Sequence, residues 1–297
     1  MSVDISVIAA PRFHVGDMEI TRITEISFEF PVTFLFPEWQ DNLTEAQLQN
    51  LHEGVLTPDR RSAIVYVNSW VVRTPNLLFI VDTGIGDGRV RHIEAFNNLN
   101  TGYLERMKTN GIDPHAVDFV FCTHLHSDHV GWNTHLSGGA WVPTFPSARY
   151  LWSRGEHDWA AGDTFRNIVS PGVYEDSVRP IVDAGLVDVV PDVGAEVIEG
   201  VMFHPTPGHT PGHMSISIRS GGGHAFFSGD VIHNPIQIYR PEWNSAFCEN
   251  QDAARKSRRW MLEYTAESGA LVLPAHFGAN SAGYVKRESN NFRWIFA

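Results

Sequence analysis

Three histidines and an aspartate fall within six positions of the segment THLHSDHVGW (residues 123–132). These residues are His124, His126, Asp128 and His129. Burying imidazoles and carboxylates without a partner costs free energy, and charged groups are tolerated in a protein interior mainly when they are paired or bind a metal. The segment alone leaves two interpretations open: a polar turn with solvated histidines, or a metal site.

Three later segments place a residue that can bind a metal ion at the end of an apolar run or in the loop after it. His209 lies in FHPTPGHTPGH, Asp230 ends HAFFSGD, and His276 ends ALVLPAH. Rigid strand ends fix the geometry that a metal ion demands, so only a fold that gathers strand ends at one rim would bring these residues together. A ligand set of His and Asp without Cys suits zinc, and also iron, manganese or cobalt.

The spacing within the first cluster indicates two ions. His124 and His126 are two residues apart, so in an extended segment they point to the same side and can hold one ion. Asp128 and His129 follow the turn and suit a second ion. If Asp230 is shared between the two ions as a bridge, all of the candidate ligands are used.

The remaining sequence predicts many strands and few helices. Apolar, β-branched and aromatic runs bounded by turn residues predict strands at 17–30, 64–73, 117–122, 187–190, 197–204, 214–219, 225–228 and 270–273. Residues 76–86 are predicted to form a buried strand that ends in Asp82 and a Gly-rich functional loop. Helical spacing predicts helices at 149–161 and 251–268. This pattern favours two packed sheets with helices outside them.

Taken together, these motifs resemble the metallo-β-lactamase-fold hydrolases over roughly residues 64–280. The resemblance implies an α/β (α+β) fold, the αβ/βα sandwich of two packed mixed β-sheets with helices on the outer faces. It also implies a ligand set in which one ion is held by His124, His126 and His209, a second ion is held by Asp128, His129 and His276, and Asp230 bridges them. Asp82 in VDTG matches the family's first motif and is expected to orient the histidine loop without binding metal.

Family subgroups differ at recognisable positions. The commonest zinc β-lactamases carry a cysteine where Asp230 stands, so β-lactam hydrolysis is not expected as the main activity. RNA-processing members insert a large domain between the His209 and Asp230 motifs, and here only 20 residues separate those two. Glyoxalase-type thioesterases carry basic C-terminal residues, which the pair Lys286 and Arg287 matches only weakly.

The chain is most similar to the lactonases that open acyl-homoserine lactones or pyridoxolactone, and to methyl parathion and aryl ester hydrolases. Acyl-homoserine lactonases place a tyrosine three residues after the bridging aspartate, where this chain has His233. We predict that His233 acts in catalysis by donating a hydrogen bond to the substrate's carbonyl oxygen or a proton to the leaving alkoxide. The alternative is that it caps a strand beside Pro235.

These observations predict a hydrolase with two divalent ions, zinc first among them, which opens a lactone or cleaves a carboxylic ester. A hydroxide shared by the two ions would attack the carbonyl, and Asp128 or Asp230 would pass a proton to the leaving oxygen. Alternatives on the same site are an aryl ester or phosphotriester hydrolase and a glyoxalase-type thioesterase. A non-catalytic metal-binding domain is the alternative from another class.

Composition narrows the partners and the compartment. A net charge of -12 disfavours nucleic acid as a partner. The sequence contains no run of 18 apolar residues, so no membrane span is predicted. Two cysteines form no disulfide framework, and the N-terminus lacks a cationic signal region, so we expect a cytoplasmic protein. We expect one domain over 1–297, with a motif-bearing core at 64–280 and an N-terminal extension at 1–60 that serves as a lid or a dimer contact.

Aromatic residues are concentrated in the segment FEFPVTFLFPEW (28–39). The segment contains Phe28, Phe30, Phe34, Phe36 and Trp39. Core or dimer packing is one interpretation, and a hydrophobic lid over a small apolar or aromatic substrate is the other. Further candidates for the same pocket are Trp132, Trp152, Trp159, Trp243 and Phe247. Residues expected to be structural are Cys122, His135, His157, His204, His213 and His224.

Overall fold

Two seven-stranded β-sheets form the centre of the computed structural model, which describes residues 10–40, 43–44, 47–48, 51, 54–278, 281–289 and 291–297. The first sheet contains, in spatial order, β1 (Arg12–Val15), β2 (Met18–Pro31), β3 (Ser62–Arg73), β4 (Leu78–Val81), β5 (Phe119–Phe121), β8 (Arg149–Ser153) and β9 (Val187–Val190). The second contains β10 (Ala195–Ile198), β11 (Val201–Pro205), β12 (Met214–Ser220), β13 (Gly223–Gly229), β14 (Leu271–Pro274), β15 (Gly283–Glu288) and β16 (Asn291–Phe296). A separate hairpin is formed by β6 (Thr134–Ser137) and β7 (Ala140–Pro143).

Helices flank the two sheets. They are α1 (Val32–Leu35), α2 (Tyr103–Thr109), α3 (Arg154–Ala160), α4 (Arg179–Asp183), α5 (Ile236–Tyr239) and α6 (Gln251–Ser268). Short 3-10 turns lie at Glu94–Phe96, Pro114–Ala116 and Gly131–Asn133, and π-helical turns at Phe165–Val169 and Tyr174–Val178. None of the helices in the described parts of the chain is both long and apolar enough to cross a bilayer.

The alternation of side chains along each strand produces the layers. In β4, Phe79 and Val81 pack between the two sheets, while Leu78 and Ile80 pack outward beneath α2, α3 and α4. In β13, Phe226 faces outward onto α6 while its two neighbours face the first sheet. Successive residues of a strand point to opposite faces, so strands buried on both sides are apolar throughout.

The layer order is therefore helix, sheet, sheet, helix. Both sheets are mixed, because β4, β5, β8 and β9 run parallel in the first and β13 runs parallel to β14 in the second. The predicted αβ/βα sandwich is confirmed.

Two predicted elements differ in the structure. Residues 149–161, predicted as one helix, form β8 followed by α3, with the Ser153 hydroxyl accepting the Glu156 N–H at the helix start. Tyr150 and Trp152 face the outer core cluster and Leu151 the inner one, so this doubly buried strand lacks the polar alternation that marks an exposed one. Residues 197–204, predicted as one strand, contain the turn between β10 and β11, where Gly200 has a φ of +78°.

The strand β2 is part of the first sheet and not an appendage to it. It pairs with β3 from Glu19 opposite Arg73 to Pro31 opposite Ser62. The predicted 1–60 extension therefore contributes a long strand to the same sheet that carries the histidine loop. Of the predicted segments, residues 1–9, 41–42, 45–46, 49–50, 52–53, 279–280 and 290 lie outside the described residues.

The candidate ligands follow strands that end at one edge of the sandwich. Asp82 follows β4, the 123–129 loop follows β5, Asp230 follows β13, and His276 follows β14. Both pairs of strands are parallel, so their carboxyl ends meet at the same edge. His209 lies in the turn between β11 and β12, which reaches that edge because β12 is antiparallel to β13.

Candidate metal centre

The Asp230 carboxylate lies at the centre of the site. It is within 3.8 Å of five imidazole nitrogens: Nε2 of His276 (2.9 Å), His209 (3.2 Å), His233 (3.2 Å), His129 (3.3 Å) and His124 (3.8 Å). Burial alone would raise the pKa of Asp230, but the surrounding histidines hold it well below its usual value. Asp230 is therefore a buried carboxylate surrounded by potential metal ligands.

The first predicted ligand group is assembled. One ligand atom each from His124, His126 and His209 lies within 4.8 Å of the others. His126 Nδ1 is 2.9 Å from His209 Nε2, a separation at which two lone pairs repel unless a proton or a cation lies between them. Burial lowers the pKa of all three, that of His126 to about 4, so they are neutral near pH 7. Neutral imidazole is the form that binds metal ions.

The second predicted group is also assembled. Asp128, His129 and His276 place ligand atoms within 4.8 Å, and Asp128 Oδ2 is 3.8 Å from Nε2 of each histidine. Burial would lower the pKa of His129, but Asp230, Asp82 and Asp128 outweigh it and raise that pKa well above its usual value. The carboxylates thus favour positive charge here, which a divalent cation would supply.

Orphaned buried atoms support the fit of metal ions to this site. Among the described residues, His124 Nε2 and His129 Nε2 are buried without a hydrogen-bond partner. A buried polar group without a partner is costly and calls for a missing water or ion. Donor atoms of the N and O type and their placement in two neighbouring groups fit two divalent ions.

Asp82 is placed to orient the histidine loop. Its carboxylate accepts hydrogen bonds from the Thr123 backbone N–H and hydroxyl, both at 2.8 Å, and lies 2.9 Å from His129 Nδ1. The Asp82 backbone is left-handed, with a φ of +56°, a conformation that aspartate tolerates better than most residues. His276 is oriented similarly, since its Nδ1 lies 2.7 Å from the Tyr66 carbonyl oxygen. Such partners leave the other ring nitrogen free to face the metal position.

His233 faces the site. Its Nε2 is 3.2 Å from Asp230 Oδ2, its ring is stacked 5.5 Å from His276, and it lines the cavity described below. Burial lowers its pKa. It also belongs to a third potential ligand group with His209 and Asp230. The structure thus brings His233 together with the other predicted residues, and its position is open to both a catalytic and a ligand role.

Two buried glutamates that the sequence analysis missed hold the ligand loops. Glu156 accepts hydrogen bonds from the backbone N–H groups of Leu125 and Gly212, both at 3.0 Å, and so joins the two loops that carry the first ligand group. Burial raises its pKa to about 7. The sequence signal was present, since Ser153 followed three residues later by Glu156 is a capping-box pattern. That pattern indicates a helix start and gives no indication of a second role.

Glu25 acts in the same way from β2. Its carboxylate accepts hydrogen bonds from Ile85 N–H (2.5 Å), Gly86 N–H (3.1 Å) and Trp132 Nε1–H (2.7 Å). It thereby fixes the loops that follow β4 and β5, and burial raises its pKa. The strand also contains Glu19 and Glu29, so no sequence signal singled out Glu25.

A cavity of about 610 Å³ opens over the metal centre. One side is an aromatic wall, formed by Phe28, Phe30, Phe34, Phe96 and Phe247. The ring centroids are linked in sequence: Phe96–Phe28 at 5.0 Å, Phe28–Phe30 at 6.3 Å, Phe30–Phe34 at 6.1 Å and Phe30–Phe247 at 6.0 Å. The wall reaches the metal centre where Phe247 lies 6.4 Å from His233.

The other predicted aromatics lie elsewhere. Phe36, Trp39 and Trp243 pack against one another beside the cavity. Trp132 and Trp152 are buried in the core beneath the helices. Trp159 contacts His126 from outside the cavity, at a ring separation of 5.8 Å.

The charge of the lining is acidic. Asp128, Asp230 and Glu249 line the cavity, and its described lining contains no lysine or arginine. The cavity therefore combines an apolar wall with polar groups at the metal centre, the composition typical of a small-molecule site.

Comparisons with known proteins agree with this fold. A sequence model of the metallo-beta-lactamase superfamily matches residues 64–276. The N-acyl homoserine lactonase AttM of Rhizobium radiobacter is 30% identical over 126 residues, which cover 40% of this chain and 42% of that protein. A probable metallo-hydrolase of Mycobacterium tuberculosis is 25% identical over 239 residues, or 69% of this chain and 73% of that one. The chain thus matches under half the length of AttM.

Two solved structures share the whole architecture. A hydrolase of the beta lactamase superfamily, AbOPH, has a TM-score of 0.81 and 21% identity, with 98% of each chain covered. AidC, a dizinc quorum-quenching lactonase, has a TM-score of 0.73 and 22% identity, with 97% of each chain covered. At these identities the likeness shows the fold.

Proposed function

Because the chain belongs to the metallo-β-lactamase superfamily, we propose that it is a hydrolase that uses two divalent ions, zinc first among them, to open a lactone or cleave a carboxylic ester. The observation that carries the proposal is the buried Asp230 carboxylate, with five imidazoles within 3.8 Å of it at the base of an aromatic cavity. The similarity to N-acyl homoserine lactonases supports the lactone class.

In this proposal the two ligand groups have separate roles. His124, His126 and His209 would hold one ion, Asp128, His129 and His276 would hold the other, and Asp230 would serve both groups. When bound, the ions would supply a Lewis acid for the substrate's carbonyl oxygen and make a water molecule nucleophilic near neutral pH. Asp82 fixes the ring orientation of His129, and Glu156 fixes the spacing of the two loops.

The chain's own residues would bind the substrate and move the proton. The aromatic wall receives the apolar part of the substrate and excludes water from the reacting bond. His233 Nε2, beside Asp230, donates a hydrogen bond to the substrate oxygen. Asp128 or Asp230 accepts the proton that the water nucleophile loses and passes it to the leaving oxygen.

The lining also favours an uncharged substrate. Away from the metal centre, an anionic ester would meet Glu249, and the described lining has no lysine or arginine to bind its carboxylate. Like charges across a binding site disfavour the wrong partner. This argues for neutral lactones and esters over β-lactams or glutathione thioesters, which carry carboxylates.

A second candidate on the same site is hydrolysis of an aryl ester or phosphotriester. The observation that favours it is the mutual packing of Phe30, Phe34 and Phe247, where each pair of rings lies within 6.1 Å. Aromatic pairs prefer stacked and edge-on arrangements, so an aryl leaving group would pack well against them.

Metal analysis and a hydrolysis screen on one protein preparation test both candidates. Protein loaded with Zn²⁺ or Mn²⁺ should bind close to two ions per chain, and it should hydrolyse γ-lactones or p-nitrophenyl esters faster than nitrocefin. A single equivalent that added metal cannot raise would contradict the two-ion proposal. Two bound ions without hydrolysis of any lactone, ester, thioester or phosphotriester would favour the non-catalytic metal-binding domain.

A further inference from the structure

A chain of hydrogen bonds runs behind the metal centre, away from the cavity. The Asp230 backbone N lies 3.0 Å from His213 Nε2, and His213 Nδ1 lies 2.9 Å from Thr206 Oγ1. The chain continues from Thr206 Oγ1 to Ser215 Oγ at 3.1 Å and from Ser215 Oγ to the Ser228 carbonyl oxygen at 3.2 Å. The four partner residues are at most 1% exposed, and none lines the cavity.

The two ends of this chain fix the direction of every proton. The Asp230 N–H can only donate, so His213 Nε2 must be the acceptor and the ring proton lies on Nδ1. That proton is donated to the Thr206 hydroxyl, which in turn donates to Ser215. The Ser215 hydroxyl donates to the Ser228 carbonyl, which can only accept. These hydrogen bonds are therefore consistent with one tautomer of His213, the one protonated on Nδ1.

Both ends of this hydrogen-bond network lie in the turn that carries Asp230. Ser228 and Asp230 flank Gly229, which has a φ of +50°. A Cβ atom at Gly229 would lie 2.6 Å from His213 Nε2, so the imidazole packs directly against this turn. The turn thus has the imidazole ring on one side, and its Asp230 N–H and Ser228 carbonyl both bond to the network of that ring.

We propose that His213 is a positioning residue that fixes the direction of the Asp230 carboxylate between the two ligand groups. Thr206 supports it by holding the ring proton on Nδ1, which keeps Nε2 an acceptor. Without that acceptor, the Asp230 N–H would be buried without a partner, and the turn would shift to find one. A shifted turn would move the carboxylate away from the histidines that surround it. This inference rests on the proposed role of Asp230 as a ligand of both ions.

Two substitutions at His213 separate the two ring nitrogens. In His213→Gln the side-chain oxygen reaches the Nε2 position and can still accept the Asp230 N–H. In His213→Asn the shorter amide reaches only the Nδ1 position. The two variants have the same chemistry and differ by one methylene, so each is the control for the other.

The measurements are Zn²⁺ affinity by chelator competition and the visible spectrum of the Co²⁺-loaded protein. We expect His213→Asn to weaken binding about 10- to 100-fold, the size of effect typical of residues that orient ligands, and to change the Co²⁺ spectrum. His213→Gln should stay within about threefold of the wild type. Equal weakening in both variants, or wild-type affinity and spectrum in His213→Asn, would overturn the proposal.

Two milder substitutions, at Thr206, test the same proposal if a His213 variant does not fold. Thr206→Val removes the hydroxyl that holds the ring proton and should weaken Zn²⁺ binding, while Thr206→Ser keeps that hydroxyl and should restore it. Wild-type affinity in Thr206→Val would contradict the role of Thr206.

Hydrogen exchange separates this proposal from the proposed function. In the metal-free protein, the Asp230 amide should be protected in the wild type and in His213→Gln, and should exchange faster in His213→Asn. Protection that is the same in all three would refute the positioning role whatever the metal content. A wild-type chain that never binds two ions would instead refute the proposed function.

Discussion

The metal centre and the aromatic wall face each other across one cavity, and they are held in place by different means. The residues of the metal centre lie in short loops at strand ends. The buried carboxylates of Asp82, Glu25 and Glu156 fix those loops by accepting hydrogen bonds from backbone N–H groups. The residues of the wall come from the end of β2, from α1 and from two loops, and they are held by contacts between their aromatic rings. Phe34 in that wall is 51% exposed.

This difference indicates a division of labour. Sites held by packed, hydrogen-bonded supports keep catalytic geometry, whereas loop-borne surfaces tolerate change and set partner choice. We therefore expect substitutions in the metal centre to remove the reaction, and substitutions in the wall to alter which substrates react. The predictions below test that division.

The largest effect is expected at the centre of the site. Asp230→Ala should release both ions and lower kcat/KM by about a thousandfold or more, because Lewis-acid stabilisation of several kcal/mol is lost. His276→Ala should mainly weaken binding of the ion that Asp128, His129 and His276 would hold. Metal analysis after gel filtration and ester hydrolysis measure the two losses. The exposed Asp252→Ala on α6 is the control, and retention of two ions by Asp230→Ala would contradict the bridging role.

His233 lies where the two regions meet. His233→Ala should lower kcat by roughly ten- to a thousandfold with KM little changed, since contacts made in the transition state appear in kcat. Metal content should stay intact, which steady-state kinetics and metal analysis of the same sample will show. Loss of an ion would make His233 a ligand, and wild-type kcat on the best substrate would return it to the structural residues.

Glu156 joins two loops of the metal centre and should make the stability of the protein depend on pH. Its pKa is raised from 4.5 to about 7, so its contribution to stability is fully present below 4.5 and is lost as the pH rises through 7. The wild type should therefore lose stability relative to Glu156→Gln between pH 5 and pH 8, by at most about 3 kcal/mol. Urea unfolding of both proteins at fixed Zn²⁺ concentration measures this. A difference that is constant with pH would contradict it.

In the aromatic wall, Phe247→Ala should affect binding more than chemistry. Loss of a ring contact and its buried area should raise KM for an apolar ester about tenfold, with a smaller change in kcat. Trp260→Ala, an aromatic residue on α6 outside the cavity, is the matched control. A fall in kcat at constant KM would show that the wall acts in the reaction step and would break the division proposed above.

The smallest effect is expected at the cavity rim. Glu249→Lys should raise the ratio of kcat/KM for an ester with a terminal carboxylate to that for its neutral analogue by about fivefold, because a nearby charge reversal is worth about 1 kcal/mol in solvent. The gain should shrink at high salt. The control is Glu199→Lys, at the opposite edge of the sheets. An unchanged ratio would mean that the rim does not select by charge.

The fold could be predicted well where burial patterns were local. Helix α6 has the predicted bounds, 251–268, because it carries an apolar stripe, an Asn250 cap and a terminal Gly269. Strand β9 matches its prediction at 187–190. β8 was predicted as a helix, since a short strand that is buried on both faces has no polar alternation of its own. The hairpin of β15 and β16 was missed although the side chains of Asn291–Phe296 alternate between exposed and buried.

The candidate ligands were identifiable from the sequence because their types and their positions after apolar runs are local properties of the chain. Histidines and aspartates at strand ends indicate a metal site before any distance is known. Their grouping around Asp230 depends on two parallel strand pairs from different sheets ending at one edge, which no local pattern specifies.

Tertiary structure alone decided the supports and the wall. Glu25 meets Ile85, and Glu156 meets Gly212, only because strand pairing brings residues that are 60 and 56 positions apart within hydrogen-bond distance. The sequence showed that Phe28, Phe30 and Phe34 are aromatic, but packing placed them over the metal centre and sent Phe36 into a neighbouring cluster. Residue type fixes what a side chain can do, and the pairing of distant segments fixes what it meets.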